Sequence, residues 1–259
     1  MADGPLKAQL RRLLPRAARP HRILGGPLRG LRIVTSWHDY PAAILGRTER
    51  PLLEWFERHV EPGQTWLDVG AHYGYTALAL SRLVGAQGRV FAFEPMLATA
   101  GHLARTRDLN GFAQLSIIPF ALGSPATLQI EKSPAVRGMV DGTAATLSGL
   151  EVFLIARFDW LWDRICEGER RIDGVKVDVQ GMEIHVLTGM LSLLREYTPK
   201  VVVEVHHGVD RAELVMLLES AGYLREAIPI EQREDDDEGE YIDDRSYYFP
   251  VREPALNQM

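Results

Sequence analysis

The chain contains a single cysteine, Cys166, among its 259 residues. No intrachain disulfide can form, which fits a reducing compartment such as the cytoplasm. A membrane-spanning helix needs roughly 18 apolar residues in a row, and no run in this sequence approaches that length. Even the apolar segment at 201–205 is interrupted by Glu204. No apolar stretch of signal-peptide length follows the basic N-terminus. We therefore expect a cytoplasmic protein without a transmembrane segment.

An excess of positive charge is lacking outside the N-terminal region. Residues 1–32 carry one lysine and seven arginines against a single acid, Asp3, whereas the whole chain has a net charge of −6. Such a basic arm could make a peripheral contact with a membrane surface or an acidic partner, although a solvated helix over residues 6–14 is the simpler interpretation. A nucleic-acid enzyme normally presents a broad basic face. The acidic balance therefore predicts no nucleic-acid partner.

The composition, with 46% hydrophobic and 25% charged residues, predicts one α/β domain with additions. Residues 1–60 are predicted to form a basic extension with a strand-like segment at 31–35 and a lead-in helix at 51–59. Residues 61–250 are predicted to form the main domain, and residues 251–259 a C-terminal tail.

After Gly63, short apolar strands alternate with helices that have one apolar face, which is typical of a mostly parallel sheet covered on both faces. We predict a doubly wound α/β fold with an N-terminal helical and hairpin extension. The predicted strands are Thr65–Val69, Arg89–Glu94, Ser116–Phe120, Val175–Val179, Lys200–His206 and Tyr247–Phe249. Residues 133–149, which are rich in Gly, Ser, Thr and Pro, are predicted to form a loop on the substrate side. Residues 231–244, which are rich in acids, are predicted to form an exposed loop.

A glycine loop follows the first strand of the main domain. Asp68 lies near the end of that strand, and Gly70 and Gly74 stand in the turn to the next helix, giving the pattern D-x-G-x-x-x-G. Glycine at these positions permits a tight turn and a close approach of a ligand to the backbone. Ligands of open α/β sheets bind at the carboxyl ends of the strands, so the loop predicts a ligand site there.

Glu94 is the acidic partner of this loop. It ends the second strand, where a carboxylate can accept hydrogen bonds from both hydroxyls of a ribose. A phosphate-binding P-loop and the dinucleotide pattern G-x-G-x-x-G are both absent from the sequence. A cationic nucleoside without a pyrophosphate, S-adenosylmethionine, fits this combination, with its amino-acid end at the backbone of the loop and its ammonium near Asp68. The predicted cofactor-binding residues of this region are Asp68, Gly70, Ala71, His72, Tyr73, Gly74, Glu94 and Pro95.

The sequence resembles the FkbM-type methyltransferases in blocks that follow the family's order. The blocks are 67–75, 88–95, 109–111, 119–123, 175–183 and 203–206. The most specific pair is K-x-D-V-x-G-x-E at 176–183 with V-E-x-H at 203–206. The resemblance covers about residues 45–225 and implies a class I, Rossmann-like methyltransferase fold with S-adenosylmethionine as cofactor. It also implies cofactor contacts at Ala121 and Asp178, and O-methylation of a small molecule, sugar, glycolipid or polyketide.

A hydroxyl acceptor must lose a proton during methyl transfer, and side chains near the strand ends are candidates for handling it. The candidate catalytic residues are Asp178, His206, Lys176 and Glu204. Asp178 is predicted to act as base or to orient the acceptor, and His206 titrates near neutrality. Helix capping by Asp178 and a surface position for His206 are the simpler alternatives. The turn after Asp178 lacks the Asn/Asp-Pro-Pro-aromatic pattern of many enzymes that methylate planar nitrogens, which favours oxygen.

Two positions depart from the family's pattern. His72 stands where asparagine is common, and Gln180 stands where glutamate is common. The second departure puts any carboxylate pair with Asp178 in doubt. The spacing of Asp178, Glu204 and His206 has no metal-ligand signature, so no metal is predicted.

Three other functions remain alternatives to an O-methyltransferase. The first is a non-catalytic binding protein that retains the fold. The second is an NAD-dependent oxidoreductase, which the missing dinucleotide pattern disfavours. The third is an RNA methyltransferase that uses the basic arm, which the net charge disfavours. The identity of the acceptor and the oligomeric state are left open.

Overall fold

The computed structural model describes residues 14–134, 150–166, 168, 171–231, 242 and 244–252. Nearly all of the helix predicted at 6–14 and most of the loops predicted at 133–149 and 231–244 lie outside these residues. Within the described part of the chain, no helix has the length and apolar character needed to span a bilayer.

Strands and helices alternate along the described chain. The strands are β1 (Arg19–Arg22), β2 (Arg32–Thr35), β3 (Thr65–Val69), β4 (Arg89–Phe93), β5 (Leu115–Ile118), β6 (Ala121–Leu122), β7 (Gln129–Pro134), β8 (Leu150–Ala156), β9 (Gly174–Val177), β10 (Lys200–Val205), β11 (Ile228–Pro229) and β12 (Arg245–Phe249). The helices are α1 (Pro41–Leu45), α2 (Arg50–His59), α3 (Tyr75–Val84), α4 (Leu97–Asn110), α5 (Phe158–Ile165), α6 (Glu183–Thr188), α7 (Leu191–Tyr197) and α8 (Arg211–Ser220).

The central sheet has seven strands in the order β11-β12-β10-β9-β3-β4-β5. The five strands from β10 to β5 run parallel, and β12 pairs antiparallel with both β10 and β11. The strand order reverses between β3 and β9, which places a crevice at the carboxyl ends of these two strands. The predicted mostly parallel α/β sheet is confirmed.

Helices cover both faces of this sheet because alternate side chains of each buried strand point to opposite faces. Leu67 and Val69 of β3 pack in one hydrophobic cluster with residues of α5, α6, α7 and α8. Trp66 of the same strand packs in a second cluster with residues of α2, α3 and α4. The two clusters make the fold doubly wound.

The N-terminal extension is part of the second cluster. Its strands β1 and β2 pair antiparallel, and Ile23 and Ile33 are buried in the same core as α3. The side chain of Asn110, at the end of α4, accepts a hydrogen bond from the backbone amide of Arg32 at 2.9 Å and donates one to its carbonyl at 2.7 Å. The extension therefore lies on the face of the sheet that carries α3 and α4. A domain boundary near residue 60 stays a prediction.

The observed strands differ from the predicted ones mainly at their ends. The strand predicted to reach Val179 ends at Val177, because Gln180 and Gly181 adopt positive φ values of 56° and 99° and turn the chain into α6. The sequence did not predict the short strands β1 and β11, which lack a buried alternating pattern. A small sheet in the order β6-β8-β7 forms beside the main one.

Candidate active site

The polar side chains near the strand ends share one face of the sheet because they occupy alternate positions. Asp68 of β3 and Lys176 of β9 are direct partners in the parallel register, and Lys176 is paired in turn with Val202 of β10. Two residues further along each strand, the same face carries Asp178 and Glu204. Five side chains from three strands thus converge at the crevice. They are Asp68, Lys176, Asp178, Glu204 and His206.

Lys176 is the cation at the centre of this group. Its side chain is 3% exposed, and its Nζ lies 3.4 Å from Oδ1 of Asp68 and 3.1 Å from Oδ2 of Asp178. Burial opposes the charged ammonium, but the carboxylates of Asp178 and Asp68 outweigh this effect and raise the pKa of Lys176. Lys176 is therefore a fixed positive charge and no proton carrier.

Asp68 is bound by groups of the protein itself. Its side chain is fully buried, Oδ2 accepts a hydrogen bond from Oγ1 of Thr76 at 2.7 Å, and Oδ1 faces Lys176. The carboxylate thus ties β3 to α3 and β9. The sequence predicted Asp68 near the cofactor's ammonium, and the structure shows that protein groups already engage it.

Glu94 lies at the end of β4, next to the glycine loop. Its Oε2 accepts a hydrogen bond from the backbone amide of His72 at 3.0 Å, and its Oε1 accepts one from the amide of Met96 at 2.9 Å. Burial of this carboxyl group raises its pKa to about 7, although both hydrogen bonds act in the opposite direction. Each oxygen keeps a further lone pair with which to accept a ligand hydroxyl.

The glycine loop requires glycine for close packing. Gly70 has a φ of 82°, and a Cβ at this position would meet the carbonyl oxygen of Asp178. Gly74 has a φ of 88°, and a Cβ there would meet Cδ1 of Leu103 on α4. The first contact brings the loop after β3 against the turn after β9. The two halves of the crevice are therefore held together by backbone contact.

Most backbone amides of this loop already donate hydrogen bonds inside the protein. The amides of Gly70 and Ala71 donate to the carbonyl of Phe93, and the amide of Gly74 donates to the carbonyl of Ala71. The side chains of Ala71 and Tyr73 are buried in the second core cluster. Backbone contacts to a ligand at residues 70–74 stay a prediction, as do contacts by Pro95 and by Ala121, which lies in β6.

His206 follows β10 and is held from two sides. Its Nδ1 lies 2.6 Å from Oε1 of Glu183, whose side chain is fully buried, and its Nε2 lies 2.8 Å from the side-chain nitrogen of Gln180. Burial disfavours the charged ring, but the hydrogen bond to Glu183 and the negative charges of Asp178, Glu204 and Glu183 together outweigh this effect, so the pKa of His206 is raised. The residue is largely buried, unlike an ordinary surface histidine.

The two carboxylates beside His206 have opposite electrostatic environments. Burial opposes the ionisation of Asp178, yet the charge of Lys176, its hydrogen bond to this carboxylate and the charge of His206 together outweigh burial and lower the pKa of the carboxyl group. Glu204 is half-buried, and burial together with the charge of Asp178 raises its pKa to about 8. Asp178 is therefore a weak base held by Lys176, which leaves the imidazole of His206 as the better candidate for a general base.

Three residues at this crevice, Glu49, Tyr40 and Glu183, have no role in the sequence analysis. Glu49, between α1 and α2, has a φ of 54°, and burial raises its pKa while Lys176 acts to lower it. The ring of Tyr40 lies 5.4 Å from that of His72, centre to centre. Burial lowers the pKa of His72 to about 4, so this residue is neutral near pH 7. The third residue without a predicted role, Glu183, lies within the K-x-D-V-x-G-x-E block, and only its place in that block could have identified it.

Asp178, Glu204 and His206 also form a group of possible metal ligands. One ligand atom from each lies within 4.8 Å of the others, and Nε2 of His206 is 3.5 Å from Oδ1 of Asp178 and 3.6 Å from Oε1 of Glu204. The positive charge of Lys176 already stands 3.1 Å from the other oxygen of Asp178. The absence of a metal stays a prediction.

Comparison with known proteins decides the family. The family model described as the methyltransferase FkbM domain matches residues 68–225, which contain every candidate catalytic residue. The chain belongs to the FkbM methyltransferase family.

Relatives and solved structures of FkbM and other methyltransferases are similar to this chain. The hexuronic acid methyltransferase AglP of Haloferax volcanii is 30% identical over 200 residues, which cover 73% of this chain and 75% of that protein. A crystal structure of an FkbM methyltransferase from Methylobacillus flagellatus KT is 17% identical with a TM-score of 0.49, over 76% of this chain and 50% of that chain. The chain thus spans about half the length of that protein. Aeropyrum pernix fibrillarin with natively bound S-adenosylmethionine is 13% identical with a TM-score of 0.49, over 90% of this chain and 88% of that chain.

The cofactor of this FkbM methyltransferase is S-adenosylmethionine, and the crevice fits it. The carboxyl group of Glu94 lies beside the glycine loop, and the acids around Lys176 outnumber the cations, which suits a ligand that carries a sulfonium. A contact between Glu94 and the ribose stays a prediction. The family assignment speaks against the NAD-dependent oxidoreductase.

Proposed function

We propose that this FkbM methyltransferase transfers a methyl group to a hydroxyl oxygen of a sugar acid, with His206 as the general base. The single observation that supports a base at this position is the environment of His206. Its Nδ1 is held by buried Glu183, and its Nε2 lies 3.5 Å from Asp178 at the crevice. A histidine fixed in this way presents one nitrogen to a bound acceptor.

The proposed reaction is an in-line displacement. When bound, S-adenosylmethionine supplies an electrophilic methyl carbon whose bond to sulfur breaks with the electron pair going to sulfur. The acceptor oxygen forms the new bond to that carbon, and its proton passes to Nε2 of His206. Asp178, charged because Lys176 stabilises it, accepts a hydrogen bond from the protonated ring and orients it. Holding the reacting groups on one axis provides much of the rate enhancement.

The charges of the crevice favour a neutral hydroxyl over a carboxylate as the attacking group. Asp178 and Glu204 both lie within 3.6 Å of the ring of His206. A carboxylate acceptor bound here would meet the negative charge of Asp178, and a second negative charge would be added wherever Glu204 is ionised, which costs free energy unless a cation is added. A hydroxyl brings no charge and needs the base that His206 provides.

The sugar acid is proposed from similarity to the hexuronic acid methyltransferase of Haloferax volcanii, which is 30% identical. An acidic sugar can bind beside the acids at the reacting position when its own carboxylate points away from them. A cytoplasmic location stays a prediction, as does a peripheral membrane contact through the basic N-terminus.

The test is methyl transfer from S-adenosylmethionine with a deuterated methyl group to glycosides of hexuronic acids, with neutral hexose glycosides as the matched comparison. Mass spectrometry before and after mild alkali separates a stable methyl ether from a labile methyl ester. We expect an alkali-stable product that forms preferentially from the hexuronic acid glycoside.

Variants test the base. Replacing His206 (His206→Ala) should reduce turnover by about 10²- to 10⁴-fold with cofactor affinity unchanged, whereas His207→Ala should keep turnover near that of the parent. An alkali-labile product would overturn the hydroxyl as acceptor. Normal cofactor binding without transfer to any sugar would favour the non-catalytic alternative.

A further inference from the structure

The contact between Glu183 and His206 joins the first residue of α6 to the residue after β10. Oε1 of Glu183 lies 2.6 Å from Nδ1 of His206, and the Glu183 side chain is fully buried. We propose that Glu183 is a positioning residue that keeps the proton of neutral His206 on Nδ1, so that Nε2 is the atom that receives the acceptor's proton. This inference rests on the proposed function.

Hydrogen-bond chemistry decides which nitrogen carries the proton. An ionised carboxylate only accepts hydrogen bonds, so Nδ1 must be the donor in its contact with Glu183. A neutral imidazole has one proton, and Nε2 is then left with its lone pair. The contact with Glu183 thereby fixes the tautomer as well as the orientation of the ring.

The carboxylate of Glu183 is itself anchored. The same Oε1 accepts a hydrogen bond from the backbone amide of Gly181 at 3.1 Å. Gly181 has a φ of 99°, so the chain turns there and directs this amide back towards α6. The turn that presents Asp178 to the crevice therefore also holds the group that orients His206. Glu183 and Asp178 contact opposite nitrogens of one ring.

Gln180 contacts the other nitrogen of the ring. Its side-chain nitrogen lies 2.8 Å from Nε2 of His206, and an amide NH₂ can only donate. An amide that donates to Nε2 requires that Nε2 carry no proton, which agrees with the tautomer that Glu183 selects. The amide occupies the place that an acceptor hydroxyl would take, so Gln180 must turn aside when the acceptor binds.

The charged groups around His206 set the pH range of this arrangement. The ring faces Glu183 on α6, Asp178 after β9 and Glu204 on β10. Beyond Asp178 stands the positive charge of Lys176. Glu183 engages Nδ1, whereas the two other acids face Nε2. Removing the charge of Glu183 should therefore change the tautomer, which removing either of the others should not.

The experiment is nitrogen-15 NMR of the full chain labelled at histidine, with His206→Ala to assign the signals. We expect the Nδ1–H tautomer in the parent chain and a pKa of His206 above 6.5. The variant Glu183→Gln should lower that pKa and populate the Nε2–H tautomer, and the exposed control Glu213→Gln should change neither. None of these readouts requires methyl transfer. Once an acceptor is identified, Glu183→Gln should lower kcat about 10- to 100-fold, with little change in the KM for cofactor.

Several outcomes would overturn the inference. Finding the Nε2–H tautomer in the parent chain would overturn it, even if Glu183→Gln fails to fold. Finding the same tautomer and the same pKa of His206 in folded Glu183→Gln would also overturn it. Broadening of the His206 signals by micromolar Mn²⁺ would make Nε2 a metal ligand instead of a base. If the tautomer depends on Glu183 but no sugar is methylated, the proposed function fails while the assignment of the proton stands.

Discussion

The backbone amide of His72 donates a hydrogen bond to Oε2 of Glu94 at 3.0 Å, which joins the glycine loop after β3 to the end of β4. A second bond, from the amide of Met96 to Oε1, fixes the other oxygen at 2.9 Å. The carboxylate is thereby oriented by its own protein before a ligand binds. Preorganised acceptors of this kind lose little freedom on binding and so gain affinity.

Cofactor affinity should increase with pH through the titration of Glu94. Burial raises the pKa of this carboxyl group to about 7, so it is mostly protonated at pH 6 and mostly ionised at pH 8. Ribose hydroxyls bind the ionised form better because it offers only acceptors. Calorimetric titration with S-adenosylmethionine should therefore give a dissociation constant about tenfold lower at pH 8 than at pH 6.

The variant Glu94→Gln is the control for this pH dependence. It should bind the cofactor about tenfold or more weakly at pH 8, with a nearly flat pH profile, since an amide does not ionise in this range. NAD serves as the comparison ligand and should not bind. An equally steep profile in the variant would assign the pH dependence to another group.

Lys176 should be essential for stability. The variant Lys176→Met leaves Asp68 and Asp178 without their cation, and Asp68 is fully buried. Removing one partner of a buried ion pair costs about 3–5 kcal/mol, so the free energy of unfolding in urea should fall by about that amount. Lys200→Met, at the start of β10, is the matched control and should change it by less than about 1 kcal/mol.

A double-variant cycle tests whether that loss arises from the pair. In the background of Asp68→Asn, replacing Lys176 should lower the free energy of unfolding by a smaller amount, because one of the two carboxylates left without a cation has been removed. Equal costs in both backgrounds would show that Lys176 acts through packing of its stem alone.

Glu204 should make the protein less stable as pH rises. Its pKa is raised to about 8, whereas in an unfolded chain a glutamate titrates near 4.3. Between these values the folded chain binds more protons than the unfolded chain, so the free energy of unfolding falls as pH increases. The variant Glu204→Gln should remove this loss and be more stable than the parent at pH 8 by roughly 1–3 kcal/mol.

Urea unfolding at pH 5.5 and pH 8 measures this effect, with the exposed Glu213→Gln as the control. The parent and the control should lose stability together between the two pH values. A loss of the same size in Glu204→Gln would contradict the assignment.

Gly70 should tolerate alanine less well than Gly111 does. Both residues have positive φ values, 82° and 68°, so alanine costs about 1–2 kcal/mol of backbone strain at either position. At Gly70 the added Cβ also meets the carbonyl oxygen of Asp178, whereas at Gly111 no atom lies within 4 Å. Thermal unfolding should show the larger loss for Gly70→Ala, and calorimetry should show weaker cofactor binding in that variant alone.

Most of the sheet could be predicted because its strands are buried on both faces. Runs such as those in β3, β4 and β10 are apolar and short, and each is followed by turn residues. The glycine loop and Glu94 carry a local pattern as well. The edge strand β11 and the hairpin strand β1 carry none, since these segments of two and four residues are too short to show a pattern and only tertiary pairing gives them a partner.

The sequence by itself determined the succession of strands and helices in the core, the glycine loop and which residue types reach the strand ends, because strand periodicity and glycine conformation are local properties. Only the tertiary structure decided which of those residues pair. The contact of Lys176 with Asp68, the support of His206 by Glu183 and the placement of Glu49 at the crevice join segments far apart in the chain. Such pairings depend on strand register and burial. They cannot be predicted from the sequence because the partner of a carboxylate is the cation or donor nearest to it in space, and that group can lie anywhere along the chain.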